Sequence, residues 1–418
     1  MKPTKRLRWW IVWTLFFSTV INYVDRQTLS NLAPVITKEF HMTNTEYGLV
    51  VSSFQIAYAV MWLVGGVLLD LIGTRLGLTI AMIWWSLASM LPSLAHSVRF
   101  LALSRFLLGI GEGFNWPGAS KTVAEWFPAK ERGLAVGIFD SGSSVGGALA
   151  AVMIPWLAII FGWRAAFLMA GCLGFVWLAL WLSLYRPMES HPRLTAEERQ
   201  LIESGRETAA ASTRHGVARY LHLLTQRNVW GIVLGRSLTD PIWWFYIFWL
   251  PKYLSDTHGF SLKQIAAFTW LPFVASDLGN FTGGLASGFL IRRGVHTVRA
   301  RKAVCVASCV PILAGIPAAL AGSPYWALAL ICVATWGYAA WSTMGLTFPS
   351  DLFPRDVVAS VTGLSGLGAA GLSAVSTLAV GWMVDRFSYL PAFVAAGTMP
   401  LLATLIVLVL IRAPQKSL

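Results

Sequence analysis

Long apolar runs alternate with short polar stretches along the whole chain. An α-helix rises ~1.5 Å per residue, so about 20 apolar residues cross a hydrocarbon core of roughly 30 Å. The runs of sufficient length are residues 9–32, 46–69, 77–96, 98–120, 134–161, 164–185, 227–253, 264–291, 302–322, 324–347, 357–384 and 389–411. This pattern predicts an all-α membrane protein with twelve transmembrane helices.

Composition and charge agree with a membrane location. Of the 418 residues, 56% are hydrophobic and 12% are charged, which excludes a soluble domain of ordinary composition. The net charge of +13 does not indicate nucleic-acid binding, because 23 of the 32 Lys and Arg residues fall on the side of the N-terminus and six on the other side. The positive-inside rule predicts cytoplasmic termini in a multi-pass inner (plasma) membrane protein, which we expect to be a monomer.

The chain contains two internal sequence repeats. A stretch with paired glycines and a later arginine, residues 65–75, recurs at 283–293. An acid followed two residues later by Phe-Pro, at 125–128, recurs at 351–354. Parallel repeats of this kind are typical of transporters built from two bundles, with the substrate site between them at mid-depth. The repeats therefore predict two six-helix bundles around a central site.

The predicted bundles comprise residues 1–185 and 227–418, joined by a polar cytoplasmic linker at 186–226. Within the linker, Thr195 and Glu198 have the spacing of a capping box, which predicts the start of a short helix. The linker composition favours a solvated connection over a binding site.

Eight charged residues fall at membrane depth, away from the ends of the predicted spans, where an ionised side chain costs about 2.5 to 3.5 kcal/mol. They are Asp25, Arg26, Arg105, Glu112, Asp140, Arg236, Asp240 and Asp277. Left uncompensated, they would cost on the order of 20 kcal/mol, more than the net stability of a typical protein. They must therefore compensate one another around a polar cavity.

Helical spacing indicates how these charges are arranged. Arg105 and Glu112 lie on one helical face but ~10.5 Å apart along the axis, too far for a direct ion pair. Asp25 and Arg26 of the first span are their natural partners, and Asn22 shares a face with Arg26.

Other polar residues leave alternatives open. Asp140 either lines the cavity or bonds to neighbouring serine hydroxyls, and Arg236 and Asp240 at i, i+4 either serve the site or neutralise each other. In the eighth span, Asp277 and Asn280 share a face and are further candidates for the cavity wall.

The seven His lie in loops or at span ends, and the four Cys lie in apolar spans. We therefore expect no metal site, no cofactor and no disulfide framework. A membrane enzyme is disfavoured because the spans contain no Ser-His, His-acid or metal constellation.

Several motifs carry a family resemblance. The loop at 65–75 looks like the loop between the second and third helices of the major facilitator superfamily, in which Asp70 and Arg75 would act in gating. The motif Asn22-Tyr-Val-Asp-Arg26, the Arg105 to Glu112 spacing and the segments 125–132 and 236–251 resemble the anion:cation symporter family within that superfamily. Segments 245–253 and 273–279 are most similar to bacterial hexuronate transporters.

This resemblance implies proton-driven uptake of a sugar-acid anion. Carried over by position, Tyr23, Arg26 and Arg105 would hold the substrate, and Asp25 and Glu112 would be the protonation sites. In the seventh span, Arg236 and Trp243 are the substrate-binding candidates.

Alternatives to hexuronate symport stay open. The substrate could be another organic anion, such as an aldonate or aldarate, and transport could proceed as uniport or exchange. A nutrient sensor that only binds the anion is disfavoured, because the chain has no long signalling tail or domain beyond the spans.

Overall fold

The computed structural model describes residues 6–204, 222–353 and 355–412, with no strand among them. Their helices are α1 (Leu7–Glu39), α2 (Asn44–Ile72), α3 (Thr74–Met90), α4 (Val98–Glu112), α5 (Asn115–Trp126), α6 (Ala129–Phe161), α7 (Trp163–Leu184), α8 (Ala196–Ser204), α9 (Arg227–His258), α10 (Leu262–Phe268), α11 (Leu271–Arg292), α12 (Thr297–Ile312), α13 (Gly315–Ala318), α14 (Pro324–Leu352), α15 (Arg355–Arg386) and α16 (Leu390–Leu410). Short 3₁₀ helices follow α3 and α7, at Leu91–Leu94 and Met188–Ser190.

Each of the twelve predicted spans corresponds to one helix or to two consecutive helices. The fourth, eighth and ninth spans were expected to be continuous, and the structure breaks each of them into two pieces: α4 with α5, α10 with α11, and α12 with α13. At the first break, a Cβ on Gly111 or Gly113 would lie 2.6 Å from the Cβ of Trp85 or Met61. Close packing against α3 and α2 thus coincides with a glycine-rich sequence of low helix propensity.

Seven helical stretches of the described chain are long and apolar enough to cross a bilayer by themselves. Helices α1, α4, α9 and α11 are not among them, and these helices carry most of the charged residues of the predicted site. The free-energy cost of placing charged side chains inside the bilayer therefore falls mainly on the helices that surround the centre of the molecule.

A single glycine separates two pairs of consecutive long helices. Gly73 separates α2 from α3 with φ of 81°, and Gly162 separates α6 from α7 with φ of 85°. This left-handed region is strained for residues that carry a Cβ, so these positions allow two long helices to reverse direction within one residue.

Helices α1–α7 form one half of the molecule, and α9–α16 form the other. The halves meet where α2 packs on α15, α1 on α9, and α6 on α10 and α11. An even number of spans brings the start of α1 and the end of α16 to one face, which we call the terminal face. We call the opposite face the distal face.

Hydrogen bonds between the halves close the distal face. The Ser30 hydroxyl donates to the Ile247 carbonyl at 2.6 Å, and the Tyr47 hydroxyl donates to the Phe248 carbonyl at 2.7 Å. The carboxylate of Asp385 accepts bonds from the first turn of α2. These contacts join the halves on the side away from the chain termini.

The internal sequence repeat has a structural counterpart. Glu125, at the end of α5, accepts a hydrogen bond from Thr74 at the start of α3. Asp351, at the end of α14, pairs with Arg301 near the start of α12. Both acids thus connect the fourth span of their half to the third, as expected for parallel repeats.

The predicted linker helix is present as α8, while residues 205–221 of the linker lie outside the described chain. The Thr195 side chain accepts a bond from the Glu198 backbone, which is one half of the predicted capping box. The other half differs, because the Glu198 carboxylate accepts instead from the Leu7 backbone and from the Arg8 guanidinium. The linker helix is thereby fastened to the start of α1.

Candidate functional site

A cavity of about 460 Å³ lies between the two halves at the middle of the molecule. The predicted residues Tyr23, Asp140, Trp243, Asp277 and Asn280 line it. It extends along α14 to Leu346 and Thr347, near the end of that helix, so it opens toward the terminal face.

The ion pair of Arg26 and Glu112 is buried beside this cavity. Arg26 Nη2 lies 3.0 Å from Glu112 Oε2, and Arg26 Nε lies 3.3 Å from the same oxygen. A third bond runs from Arg26 Nη2 to Asn22 Oδ1 at 2.9 Å. The side chains of Arg26 and Glu112 are 2% and 0% exposed, so each charge depends on the other for compensation.

Four aromatic rings enclose the Arg26 guanidinium. Its central carbon lies 4.9 Å from the ring centre of Tyr23, 5.0 Å from Phe54, 4.7 Å from Tyr58 and 5.3 Å from Trp244. Each contact of this kind stabilises a cation by about 0.5 to 2 kcal/mol. We call these four rings the Arg26 cage; Trp244 belongs to the second half, so the cage spans both halves.

Two members of the cage, Phe54 and Tyr58, were not predicted from the sequence. Phe54 and Tyr58 stand at i, i+4 on α2 and stack with ring centres 5.5 Å apart. Such spacing usually marks packing in a helix core, and nothing in the sequence shows that these rings face an arginine. Trp244 follows the predicted residue Trp243 in the run of four aromatic residues at 243–246 of the seventh span.

Arg105 and Asp25 lie next to this pair without forming an ion pair with each other. Arg105 donates to the backbone carbonyls of Asp25 at 3.4 Å and Arg26 at 3.2 Å. The Asp25 carboxylate instead accepts a bond from the Ser89 hydroxyl at 2.7 Å. Arg105 Nε, Asp25 Oδ2 and Glu112 Oε1 are buried without a hydrogen-bond partner, which leaves bonding capacity at the centre of the first half.

The second half has a comparable pair. Arg236 Nη2 lies 2.7 Å from Asp240 Oδ2, and Arg236 Nη1 donates to the Ser365 hydroxyl at 3.0 Å. Arg236 and Asp240 therefore form the i, i+4 ion pair, and their role in the site stays a prediction. The Tyr338 hydroxyl donates to Asp240 Oδ1 at 3.4 Å, and the Tyr338 ring stacks on Trp243.

Both arginine pairs therefore lie behind a tyrosine that lines the cavity, Tyr23 in the first half and Tyr338 in the second. Arg26, Arg105 and Arg236 do not themselves face the cavity in this conformation. Their roles in substrate binding stay predictions, as do the protonation roles of Asp25 and Glu112.

Of the residues predicted to line the cavity, Asp140, Asp277 and Asn280 do so, whereas Asn22 and Asp240 are not among its lining residues. Asp140 accepts a bond from Trp116 Nε1 at 3.3 Å, so its neighbour is an indole and not one of the adjacent serines. Asp277 accepts a bond from the Ser144 hydroxyl at 2.5 Å, and Asn280 accepts one from Thr343 at 2.9 Å. The bond from Ser144 to Asp277 joins the two halves.

The gating loop lies at the terminal face. Arg75 donates to the Leu182 carbonyl at 3.1 Å and so caps the end of α7. The side chain of Asp70 lies outside the described part of the structure, and the gating role of both residues stays a prediction. Within the described residues, no group of three or more His, Cys, Asp or Glu is placed to hold a metal.

Comparison with known proteins places this geometry in a family. The model of the Major Facilitator Superfamily matches residues 15–377. The hexuronate transporter of Escherichia coli (strain K12) is 33% identical over 408 residues, which cover 97% of this chain and 94% of that protein. The galacturonate transporter of Dickeya chrysanthemi is 34% identical over 333 residues, which cover 79% of this chain and 96% of that protein.

Solved structures support the same fold. The crystal structure of a D-xylose-proton symporter superposes with a TM-score of 0.75 at 16% sequence identity, covering 97% of this chain and 98% of that chain. At this identity the likeness concerns the fold alone.

Proposed function

The chain belongs to the Major Facilitator Superfamily, and from this premise we propose that it is a proton-coupled symporter that imports a hexuronate, such as galacturonate or glucuronate. Its relatives of about one-third identity include hexuronate and galacturonate transporters that align over most of their length. With the terminal face in the cytoplasm of a bacterial inner membrane, as the distribution of bases favours, the cavity opens inward and the distal face is closed to the outside.

The observation that carries the proposal is the buried pair of Arg26 and Glu112 directly behind Tyr23. A guanidinium binds a carboxylate through parallel hydrogen bonds, and it keeps its charge at any pH in the cell. The substrate carboxylate and the Glu112 carboxylate therefore compete for Arg26. Protonation of Glu112 removes one competitor and makes Arg26 available to the anion.

This competition couples the two solutes. When Glu112 is protonated, the anion binds more tightly, and by linkage the bound anion raises the proton affinity of Glu112. When the anion and the proton leave toward the terminal face, the pair of Arg26 and Glu112 reforms. Arg26 and Glu112 form this pair in the described conformation.

Other residues are assigned by position in this proposal. Arg105 holds the backbone of the helix that carries Arg26, and its Nε atom is free to bond to the substrate. Tyr23 and Trp243 offer ring faces to the sugar, and Asn280 offers an amide to its hydroxyls. Asp25, which is held by Ser89, is a second candidate for proton uptake.

The test uses the purified protein in liposomes and labelled galacturonate. Wild type should accumulate the label when the proton gradient points inward, whereas Glu112→Gln should exchange internal for external galacturonate without accumulation. Glu39→Gln is the matched control, because Glu39 pairs with Arg164 outside the cavity and is 39% exposed. Accumulation by Glu112→Gln equal to that of the control would remove Glu112 from the coupling role.

Proton movement separates symport from the alternatives. Adding galacturonate to de-energised cells that make the protein should alkalinise the medium. Anion uptake without alkalinisation would leave uniport or exchange as the mode of transport.

A further inference from the structure

The charges that face the central cavity are all of one sign. Among the described residues that line it, Asp140 and Asp277 are acidic and none is Lys or Arg. Asp140 is exposed to the cavity, and Asp277 is half-buried. An anion therefore enters a chamber with fixed carboxylates on its wall and its cationic partner set behind Tyr23.

Asp140 is connected to Arg26 through the rings of Tyr23 and Trp116. The Trp116 ring lies 6.2 Å from the Tyr23 ring, and the Tyr23 ring centre also lies 4.9 Å from the Arg26 guanidinium. The same Trp116 donates its indole N–H to Asp140. Along this wall the site runs from a guanidinium through two aromatic rings to a carboxylate.

Asp277 extends the acidic side across the interface. It is in the second half and is held by Ser144 of the first half at 2.5 Å. Hydroxyl and amide groups of Ser342, Thr343 and Asn280 line the cavity near it. The cavity wall around Asp277 thus combines a carboxylate with neutral hydrogen-bonding groups.

We propose that Asp140 and Asp277 determine specificity by selecting sugar acids with one carboxylate over sugar diacids of the same length. This inference rests on the proposed function, since it assumes that Arg26 takes the substrate carboxylate. The hydroxyl groups at the other end of a hexuronate then donate to Asp140 and Asp277. An aldarate instead places a second carboxylate against these acids.

The two carboxylates accept hydrogen bonds from the hydroxyls of a hexuronate and repel the second carboxylate of an aldarate. An ionised carboxylate only accepts hydrogen bonds, so it suits a sugar hydroxyl and cannot bond to another carboxylate. Placing like charges together in a binding site disfavours the wrong partner strongly, and every 1.4 kcal/mol is about tenfold in affinity. We therefore expect at least about tenfold preference for galacturonate over galactarate.

The test is competition in proteoliposomes. Uptake of labelled galacturonate is inhibited with unlabelled galacturonate or galactarate for wild type, Asp140→Asn, Asp277→Asn and the double variant. The measured quantity is the ratio of the two inhibition constants within each variant, which does not depend on how much protein folds. Glu203→Gln, on the exposed face of α8, is the control for loss of one negative charge.

Wild type and Glu203→Gln should both prefer galacturonate over galactarate by at least about tenfold. Asp140→Asn and Asp277→Asn should each lower this ratio of inhibition constants about threefold, and the double variant should lower it about tenfold. Equal inhibition of wild type by both sugars would overturn the inference, and so would an unchanged ratio in any active variant. If the variants are inactive, the wild-type ratio alone decides. Absence of galacturonate uptake by wild type would instead contradict the proposed function.

Discussion

Arg26 makes contacts that a lysine could not reproduce. Its guanidinium donates to Glu112 and Asn22 while its flat faces meet the rings of Tyr23 and Tyr58. A lysine ammonium is a compact point charge and cannot combine a fork of donors with stacking. The identity of this residue therefore matters as much as its charge.

We expect Arg26→Lys to lower the transport efficiency for galacturonate by about 100-fold, because hydrogen bonds to charged groups contribute about 1.5 to 3 kcal/mol each. Initial uptake rates over a range of substrate concentrations would measure the effect. Arg164→Lys is the matched control and should stay near wild type, since its pair with Glu39 is 43% exposed on the arginine side. An efficiency of Arg26→Lys within threefold of this control would contradict a bidentate role.

The partners of the buried charged side chains could be predicted only in part from the sequence. The heptad spacing of Arg105 and Glu112 correctly predicted that they need other partners, and Arg26 was one of the two candidates named. The choice of Ser89 by Asp25 was not predictable, because it depends on the rotation of α1 against α3.

Helices α1 and α6 approach each other through glycine. A Cβ on Gly146 would lie 2.5 Å from the Val20 carbonyl oxygen and 2.9 Å from the Tyr23 Cβ. Both obstacles belong to the helix that carries Arg26, and the first is backbone that cannot rotate away. The close contact of these helices thus determines where Tyr23 lies in the cavity wall.

Gly146→Ala should therefore destabilise the protein by about 1 to 3 kcal/mol, the usual effect of overpacking. The thermal unfolding midpoint in detergent would report the loss. Gly371→Ala in α15 is the matched control, because nothing lies within 4 Å of its added Cβ. This control should be neutral or slightly stabilising, since alanine favours helix over glycine. Equal midpoints for the two variants would contradict the tight contact.

For the molecule as a whole, Asp385 closes the distal face. Its Oδ1 accepts from the Asn44 backbone at 2.8 Å, and its Oδ2 accepts from the Thr45 backbone at 2.7 Å. An acid at a helix N-terminus is favoured by the helix dipole, and here the acid and the helix belong to different halves. Alternating access requires these bonds to break when the distal face opens.

Asp385→Asn should shift the molecule toward the distal-open state. The bonds are exposed, so we expect a loss of about 1 kcal/mol, which is about fivefold in the population ratio. The measurement is the rate at which an impermeant thiol reagent labels Ser30→Cys, a buried position of the distal contact, in a background without the four native cysteines.

The control for this prediction is Glu46→Gln, which removes a neighbouring charge at the start of α2. Glu46 makes its hydrogen bonds to the described residues within its own half, to Thr43. Labelling of Ser30→Cys should rise about fivefold with Asp385→Asn and stay unchanged with Glu46→Gln. A rise of equal size in both variants would mean that the start of α2, and not its bond to the second half, controls the distal face.

The sequence by itself determined the all-helical membrane fold, the existence of two related halves and the set of charged residues that had to be compensated inside the bilayer. These features follow from local hydrophobicity, from the spacing of residues within single helices and from internal repetition. Hydrophobicity and helical spacing are properties of neighbouring residues, and internal repetition is visible in the sequence alone. The partition of a side chain between water and lipid depends little on what it contacts in the folded state.

Only the tertiary structure decided which charges meet and which face the cavity. The rings of the Arg26 cage belong to α1, α2 and α9. The two acids that line the cavity, Asp140 and Asp277, belong to α6 and α11. These contacts join helices far apart in the chain, and their geometry depends on helix rotations and on close approaches at glycine. A shift of one residue around a helix turns a side chain by about 100°, so facing partners are set by packing and not by sequence spacing alone.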